Sequence, residues 1–296
     1  MERETLLYEL RRKLQVGASN IISPILLSKA YYRLVMKKKL DLNNPKTFNE
    51  KIQWLKLNYF PNNELVVKCT DKYLVRDYVI ECGYENKLVN LIGVYENVDQ
   101  IDWNLLPNQF VLKCNHGCAY NIVCTDKKKI DKSNITKKLT KWLNEDFGKF
   151  NMELHYSKIK KHLIICEEFL GEKLIDYKFF CFNGTPKFMY VSRDLIHDRQ
   201  AEIGFFELNG KKIDLVRDDY DDFILDQLPS FYSEMLEMAK KLSSQFPFVR
   251  VDFFVTKNNY YFAELTFTPS AGMMPIRPES FDRLWGEYIE LDQIKG

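Results

Sequence analysis

Two neighbouring strand-like segments near the carboxyl end of the chain each carry one acidic residue among aromatic and β-branched residues. The segments are VRVDFFV and YYFAELT, and the acids are Asp252 and Glu264. A carboxylate in such a segment is costly to bury unless a cation compensates its charge. This feature limits the possible folds most strongly, because the two strands must pair in a way that brings both acids to a polar site.

The spacing of the two segments predicts how they pair. Residues 257–259 are typical of a hairpin turn. In an antiparallel pair, a three-residue loop there places Asp252 directly opposite Glu264, whereas a two-residue loop would separate them. With Cβ atoms about 5 Å apart, the two acids favour a shared Mg²⁺ ion. Side chains alternate between the two faces of a strand, so Arg250 and Thr266, each two residues from one of the acids, lie on the same face as the acids. A solvated face on which the acids pair with Arg250 is the alternative.

Two lysines favour a nucleotide as the further partner of these acids. Lys113 precedes the loop NHGCAY, whose backbone amides around Gly117 are suited to phosphate oxygens. Lys178 lies in DYKFF among mainly apolar residues. A single lysine on a strand edge is more often solvated. Two lysines, together with acids and arginines in separate strands, fit a nucleoside triphosphate with Mg²⁺ better.

Helical and strand patterns alternate along the chain and predict a mixed α and β protein. Thr47 and Glu50 have the spacing of a capping box, so a helix is expected to begin there. FVLKC and NIVCT predict one hairpin, and Asn183-Gly184 predicts the tight turn of another. Residues 64–82 predict a short strand, a turn and a helix, and SFYSEMLEMAKKLSSQF predicts an amphipathic helix.

Charge and cysteine content argue against several classes of protein. The 43 basic and 41 acidic residues leave a formal net charge of +2, which gives no reason to expect nucleic acid as a partner. The seven cysteines are odd in number, lie mostly in apolar segments and form no CxxC pair. This pattern is typical of buried thiols in a reducing compartment and argues against a zinc site.

The N-terminal region allows two interpretations. It is charged where a signal peptide would be apolar, so a cytoplasmic protein is expected. Residues 16–36 are apolar but too interrupted by polar residues to span a bilayer, and residues 37–39 are lysines. A helix packed on its own domain is the more common arrangement. The alternative is an element that binds the inner face of the membrane or the capsule machinery.

Five segments together resemble the TupA-like ATP-grasp family, which is associated with teichuronopeptide and capsule polysaccharide biosynthesis. They are NPKTFNEKIQWLK, CTDKYLVRDYV, FVLKCNHGCAYNIV, EEFLGEKLIDYKFFCFNG and FVRVDFFVTKNNYYFAELTFTPSAG. The resemblance implies an α+β ATP-grasp fold in which two antiparallel-sheet subdomains clasp ATP. It also implies a helical extension over residues 1–60, an A subdomain over 61–165 and a B subdomain with the metal site over 166–296.

The resemblance assigns roles to individual residues. It implies ATP-phosphate contacts for Lys113, Lys178 and the loop at Gly117, and an adenine and ribose hinge formed by Glu167, Glu168, Phe169 and Leu170. It implies Mg²⁺ ligands at Asp252, Glu264 and Thr266, although most ATP-grasp ligases have asparagine at the last position. Arg250, Lys178 and Arg193 are implied in catalysis. Outside the residues that the resemblance assigns to the nucleotide, Arg193, Arg277 and Arg76 are the candidates for binding the substrate carboxylate. For each of them, a surface ion pair is the alternative role.

The implied chemistry is the activation of a carboxylate by ATP to an acyl phosphate, which an amine then attacks to give an amide. The implied substrates are an amino acid or other amine and a uronic acid of a surface polysaccharide or its precursor. Two alternatives keep the fold: a kinase that acts on a sugar hydroxyl, and a non-catalytic polysaccharide-binding subunit. The presence of both lysines and both acids argues against the second alternative.

Overall fold

A computed structural model describes residues 6–193, 201–215 and 220–295. Its helices are α1 (Leu6–Ser19), α2 (Pro24–Met36), α3 (Phe48–Asn58), α4 (Glu64–Thr70), α5 (Val75–Glu81), α6 (Lys132–Leu143), α7 (Gly148–Asn151), α8 (Tyr232–Ser243), α9 (Ser280–Glu287) and α10 (Asp292–Lys295). Its strands are β1 (Leu91–Tyr95), β2 (Phe110–Cys114), β3 (Asn121–Cys124), β4 (Ile164–Glu168), β5 (Ile175–Phe182), β6 (Thr185–Arg193), β7 (Glu202–Glu207), β8 (Asp221–Asp222), β9 (Phe248–Val255) and β10 (Tyr260–Thr266).

The strands form two separate sheets. The smaller sheet has the order β1-β4-β2-β3, and the larger has the order β10-β9-β5-β6-β7-β8. All strand pairs are antiparallel except β7 and β8. The chain passes from the smaller sheet to the larger over residues 169–174, between β4 and β5. The predicted mixed fold with two largely antiparallel sheets is confirmed.

Short-range signals correctly predicted several of these elements. The capping box at the start of α3 is present, because the Thr47 side chain accepts from the Glu50 amide at 3.3 Å and Glu50 accepts from the Thr47 amide at 3.0 Å. Both predicted hairpins form. Asn183 and Gly184 have φ angles of 47° and 75°, the left-handed conformations that this kind of tight turn requires.

The strand predicted at the start of residues 64–82 is wrong, because residues 64–70 form α4. The side chain of Asn63 accepts a hydrogen bond from the amide of Val66 at 3.0 Å and caps the helix. Val66 and Cys69, three positions apart, are both buried in the core. The cap and this packing outweigh the local preference of the valines for a strand.

The larger sheet is covered differently on its two faces. One face packs against α8, where the ring of Phe179 lies 5.8 Å from that of Tyr232. At one end of the other face, Phe180 packs against Phe48 of α3 and Trp285 of α9, at ring distances of 6.2 Å and 6.0 Å. The remainder of this second face is turned toward the smaller sheet, and it carries the charged residues described below.

The core of the larger sheet contains residues from both sides of position 60. The core of the larger sheet includes Phe48 and Ile52 of α3 together with Val66 of α4 and Tyr78 of α5. The smaller sheet has its own core, in which α6 packs on the strands. Helix α3 is therefore part of the larger core. The division of the chain into subdomains at residues 60 and 165 stays a prediction.

Candidate active site

The acid pair is present, although the turn differs from the predicted one. The turn closes with the Thr256 amide donating to the Asn259 carbonyl at 2.9 Å, and in the first part of the hairpin the strands pair one residue out of the expected register. Continued unchanged, that register would place Ala263 opposite Asp252. A β-bulge at Ala263 inserts one residue and restores the pairing of Asp252 with Glu264. The predicted pairing is therefore confirmed.

Lys178 extends this row of charges onto the next strand. It lies directly opposite Asp252 in the pairing of β5 with β9, and its Nζ is 3.3 Å from Asp252 Oδ2. The same Nζ is 3.2 Å from Asp176 Oδ1. Asp252 has no solvent exposure and Lys178 is only 7% exposed. The lysine is therefore held between two carboxylates at the base of the open face.

Arg250 and Thr266 lie beside this row, on the face that parity predicted. Arg250 donates to both carboxylate oxygens of Asp252, through Nε at 2.7 Å and Nη2 at 2.5 Å. Its Nη2 also donates to Thr266 Oγ1 at 3.0 Å. The Thr266 hydroxyl donates to Glu264 Oε1, again at 3.0 Å. Thr266 thus positions Glu264 and Arg250, and its role as a metal ligand stays a prediction.

The charges in this cluster control one another's ionisation. Burial alone would lower the pKa of Lys178, but Asp176 and Asp252 outweigh this effect and raise it, so the ammonium stays charged. Burial raises the pKa of Asp176, and Lys178 offsets only part of that effect. Burial would also raise the pKa of Glu264, but neighbouring cations, Lys72 foremost, lower it. Glu264 is therefore ionised at neutral pH, in the state that binds a cation.

The facing side of the smaller sheet carries a second group of charges. Lys113 on β2 and Arg76 on α5 both bind Glu167 of β4, at 2.5 Å and 3.3 Å. Arg76 also donates to the Val89 carbonyl at 2.9 Å. The Nζ of Lys113 lies 5.6 Å from the ring centre of Phe254 on β9, so the two sheets approach each other here. Glu167 fixes Lys113 in the cleft between them.

This cleft has a volume of about 780 Å³ and brings most of the predicted phosphate and metal residues together. Lys113 and Glu167 line it from the smaller sheet, and Lys178, Asp252 and Glu264 line it from the larger one. Cations from two sheets thus face one space that also holds the acid pair. This arrangement is suited to a polyanion bound with a divalent cation.

The predicted phosphate loop between β2 and β3 is in contact with side chains from other parts of the chain. Lys72 Nζ donates to the Gly117 carbonyl at 2.6 Å. A Cβ atom at Gly117 would lie 2.5 Å from the ring of Tyr120, so a larger residue would require that buried ring to move. The ring of His116 stacks on His162 at 3.6 Å, and burial together with His162 lowers the pKa of His116 to about 4. His116 is therefore neutral at physiological pH.

Helix α1 contributes to the cleft, which the sequence motifs did not indicate. Tyr8, Glu9 and Arg12 of this helix line it. The guanidinium of Arg12 lies 3.6 Å from the ring centre of Phe150, and its Nη2 donates to the Tyr120 hydroxyl at 2.7 Å. The only signal in the sequence was an arginine within an amphipathic segment. The contacts of Arg12 could not be inferred from it, because Tyr120 and Phe150 lie far away in the sequence.

We expect Arg12→Ala to release α1 from the wall of the cleft. The substitution removes the hydrogen bond to Tyr120 and the ion pair with Glu145 at 3.4 Å. Charge-assisted hydrogen bonds contribute about 1.5–3 kcal/mol, so amide hydrogen exchange in α1 is expected to rise about tenfold or more. Arg11→Ala is the matched control, because Arg11 is exposed. Equal exchange in both variants would mean that Arg12 does not hold the helix.

The remaining predicted residues lie away from this cluster. Arg193 lies opposite Ile175 at the end of β6 and is therefore on the other sheet face, where it contacts Phe223 at 5.2 Å and Glu202 at 3.7 Å. Arg277 is exposed and does not line the cleft. Arg193 does not lie near the acids, so its position gives no support to a catalytic role. That role stays a prediction.

The predicted hinge lies where the chain leaves the smaller sheet. Glu167 and Glu168 end β4, and Phe169 and Leu170 begin the connection to β5, where both are half-buried. Among these four residues, Glu167 lines the cleft and is ion-paired, whereas Glu168 is exposed. Their contacts with adenine and ribose stay predictions.

The acid pair suits Mg²⁺, which proteins usually hold through one or two carboxylates together with substrate phosphates. Glu264 is the more accessible ligand, with 36% of its side chain exposed, whereas both oxygens of Asp252 already accept from Arg250. No group of three or more acidic, histidine or cysteine side chains in the described part of the chain forms a metal cage of its own. The residues present therefore fit a metal ion that arrives with a nucleotide.

Two sheets direct lysines and an acid pair into one cleft, which is the arrangement that the resemblance to the ATP-grasp family implies. A protein-family model described as TupA-like ATP-grasp matches residues 50–290. The chain therefore belongs to the TupA-like ATP-grasp family. This membership confirms the family that the sequence motifs resemble.

Solved structures with related folds are distant. The D-alanine-D-alanine ligase of Helicobacter pylori is 17% identical, with a TM-score of 0.42, over 83% of this chain and 70% of that chain. The L-amino acid ligase of Bacillus licheniformis is 13% identical, with a TM-score of 0.46, over 87% of this chain and 57% of that chain. No curated protein matches the chain by sequence. The assignment thus rests on the family match.

Proposed function

We propose that the protein is a carboxylate-amine ligase that joins an amino acid or other amine to a uronic acid of a cell-surface polysaccharide or its precursor. In this reaction ATP converts the carboxylate to an acyl phosphate, the amine attacks the acyl carbon, and an amide, ADP and phosphate are formed. The polysaccharide substrate follows from the association of the TupA-like family with teichuronopeptide and capsule biosynthesis.

The observation that carries the proposal is the row formed by Lys178, Asp252 and Glu264 across three strands, with Arg250 beside it. Phosphoryl transfer to a carboxylate brings anions together, and it is catalysed chiefly by positioned cations rather than by a protein nucleophile. A binding subunit has no need of buried cations next to an acid pair. The intact row therefore favours catalysis over a binding role.

The side chains of the row, and Lys113 on the facing sheet, each have a role consistent with their contacts. Lys113 and Lys178, from the two sheets, would bind the ATP phosphates. Asp252 and Glu264 would hold Mg²⁺, which when bound neutralises charge on the phosphate oxygens. Within the described residues, Arg250 uses Nε and Nη2 for protein contacts, which leaves the N–H groups of Nη1 for the transferred phosphoryl group.

The side of the cleft near α1 has features that suit a sugar acid. Tyr8 and Trp142 line it, and their aromatic rings are suited to packing on the apolar faces of a sugar. Lys72 and Lys138 line the same cleft and offer positive charge to a carboxylate. These lysines replace Arg193 and Arg277, which lie elsewhere, as the candidates for carboxylate recognition.

The experiment that tests the proposal is ADP release by the purified protein with ATP and Mg²⁺. A panel of uronic acids and nucleotide-linked uronic acids is offered with and without pooled amino acids. We expect turnover that needs both a carboxylate and an amine. Turnover with a sugar and no amine would indicate a kinase, and tight ATP binding without turnover under every pairing would indicate a binding role.

A further inference from the structure

Helix α1 has an unusual arrangement of polar and apolar side chains. Its buried side is polar, because Arg12 and Gln15 are each only 8% exposed and bind neighbouring side chains. Its outward side carries Leu7, Leu10 and Leu14, which are exposed by 66%, 52% and 65%. The spacing of these leucines places them on one helical face. A helix that only packs on its own protein would bury that face, so packing within the described residues does not account for it.

The exposed apolar surface continues beyond α1. Ile21 in the connection to α2 is 88% exposed. Helix α2 buries Leu27 and Tyr32 on one side. The apolar residues exposed in the connection and along α2 are Ile21, Ile22, Ile25, Leu26, Leu34 and Val35. Together with the three leucines of α1 they make nine exposed apolar residues, which we call the α1–α2 surface.

The same region is strongly basic. Residues 6–39 contain eight Lys and Arg residues and one acid, Glu9, although the whole chain has a formal net charge of only +2. The exposed basic residues are Arg11, Lys13, Lys29, Arg33, Lys37, Lys38 and Lys39. Apolar side chains flanked by exposed lysine and arginine complement an anionic lipid surface, where acyl chains meet negative headgroups. A second copy of this surface would instead bring like charges together.

Helices α1 and α2 are both too short to cross a bilayer. Helices α1 and α2 have 14 and 13 residues. At about 1.5 Å per residue each is about 20 Å long, compared with about 30 Å of hydrocarbon in a bilayer. Across residues 6–193, 201–215 and 220–295, no helix has the length and apolar character needed to cross a membrane.

We propose that the α1–α2 surface docks the protein on an anionic lipid bilayer. Helix α1 then has two functions, because its inner side, with Tyr8 and Arg12, lines the cleft while its outer side contacts lipid. Docking holds the cleft beside the headgroups, within reach of an acceptor anchored in the membrane. Binding to lipid does not depend on the ligase activity and is tested separately from it.

The test is co-sedimentation of the full chain with vesicles of phosphatidylcholine, alone or mixed with phosphatidylglycerol, at low and high salt. We expect binding to the anionic vesicles that weakens as salt rises. Replacing Leu10 and Leu14 with Ser, or the three lysines of residues 37–39 with Gln, is expected to weaken this binding about tenfold or more. The matched control replaces Leu105 and Ile224 with Ser, since these residues are 82% and 74% exposed elsewhere on the protein.

Unchanged circular dichroism and ATP affinity would show that the variants fold. Failure of the wild type to sediment with anionic vesicles would overturn the proposal, as would an equal loss of binding in the Leu105 and Ile224 control. Sedimentation velocity tests the remaining possibility, which is self-association of the protein through this surface. A wild-type dimer that the Leu10 and Leu14 variant converts to a monomer, without lipid binding, would assign the surface to a second copy of the chain and overturn lipid docking.

Discussion

Glu264→Gln is expected to reduce ATP turnover by about 10²–10³-fold and to raise the Mg²⁺ concentration needed for half-maximal activity, with little change in stability. The substitution keeps the shape of the side chain but removes the negative charge that faces Asp252 across β9 and β10. Loss of one preorganised electrostatic group at a reacting centre typically costs a factor of this size. Because part of the Glu264 side chain is exposed, the fold should tolerate the change. Steady-state ADP release across a Mg²⁺ titration is the measurement.

Glu237→Gln is the control for this substitution. Glu237 is an exposed acid on α8, paired with Lys240, and it lies outside the cleft. We expect its turnover and Mg²⁺ dependence to equal those of the wild type. If the Glu264 variant also kept the wild-type turnover and the wild-type Mg²⁺ midpoint, the assignment of Glu264 to the metal would be wrong.

Lys178→Met is expected to abolish measurable turnover and to destabilise the protein by about 3–5 kcal/mol at pH 7. The lysine is buried between Asp176 and Asp252, at 3.2 Å and 3.3 Å, so its loss leaves two acids close together without their shared cation. Turnover is lost because the same ammonium group is the cation expected to face the ATP phosphates. Urea unfolding and ADP release measure the two effects.

The destabilisation of the Lys178 variant should depend on pH in a defined direction. Burial already raises the pKa of Asp176 in the wild type, and removal of the lysine raises it further. The folded variant then binds more protons than its unfolded state, so its free energy of unfolding rises relative to the wild type as the pH falls from 7 toward 5. Lys178→Arg keeps the charge and should show a smaller loss. A stability difference that stays constant over this pH range would contradict a charge-based explanation.

The fold could be predicted wherever its determinants lie close together in sequence. The Asn183-Gly184 turn and the Thr47 and Glu50 capping box depend on backbone conformations and hydrogen bonds within a few residues, and both are present. The strand predicted from residue 64 failed for the opposite reason. A valine pair favours a strand locally, but capping by Asn63 and packing in a core of distant residues favour a helix.

The candidate site was predictable in part. Strand alternation gave the shared face of Arg250, Asp252, Glu264 and Thr266, because the side-chain period of a strand is fixed. The β-bulge at Ala263 that produces this register has no signal in the sequence. The expected three-residue turn led to the right pairing although the turn itself is different. The catalytic and ligand roles of these residues stay predictions until the variants are measured.

The sequence by itself determined the family, the strand faces that carry the acids, and the two lysines that enter the cleft, since these follow from local spacing and from ordered motifs. Only the tertiary structure decided which charges meet. Lys178 contacts Asp176 on its own strand and also Asp252, which is 74 residues away in the sequence. Arg12 donates a hydrogen bond to Tyr120, 108 residues away. Such contacts depend on how the sheets and α1 pack, because burial and electrostatic energies are set by distance in space rather than along the chain.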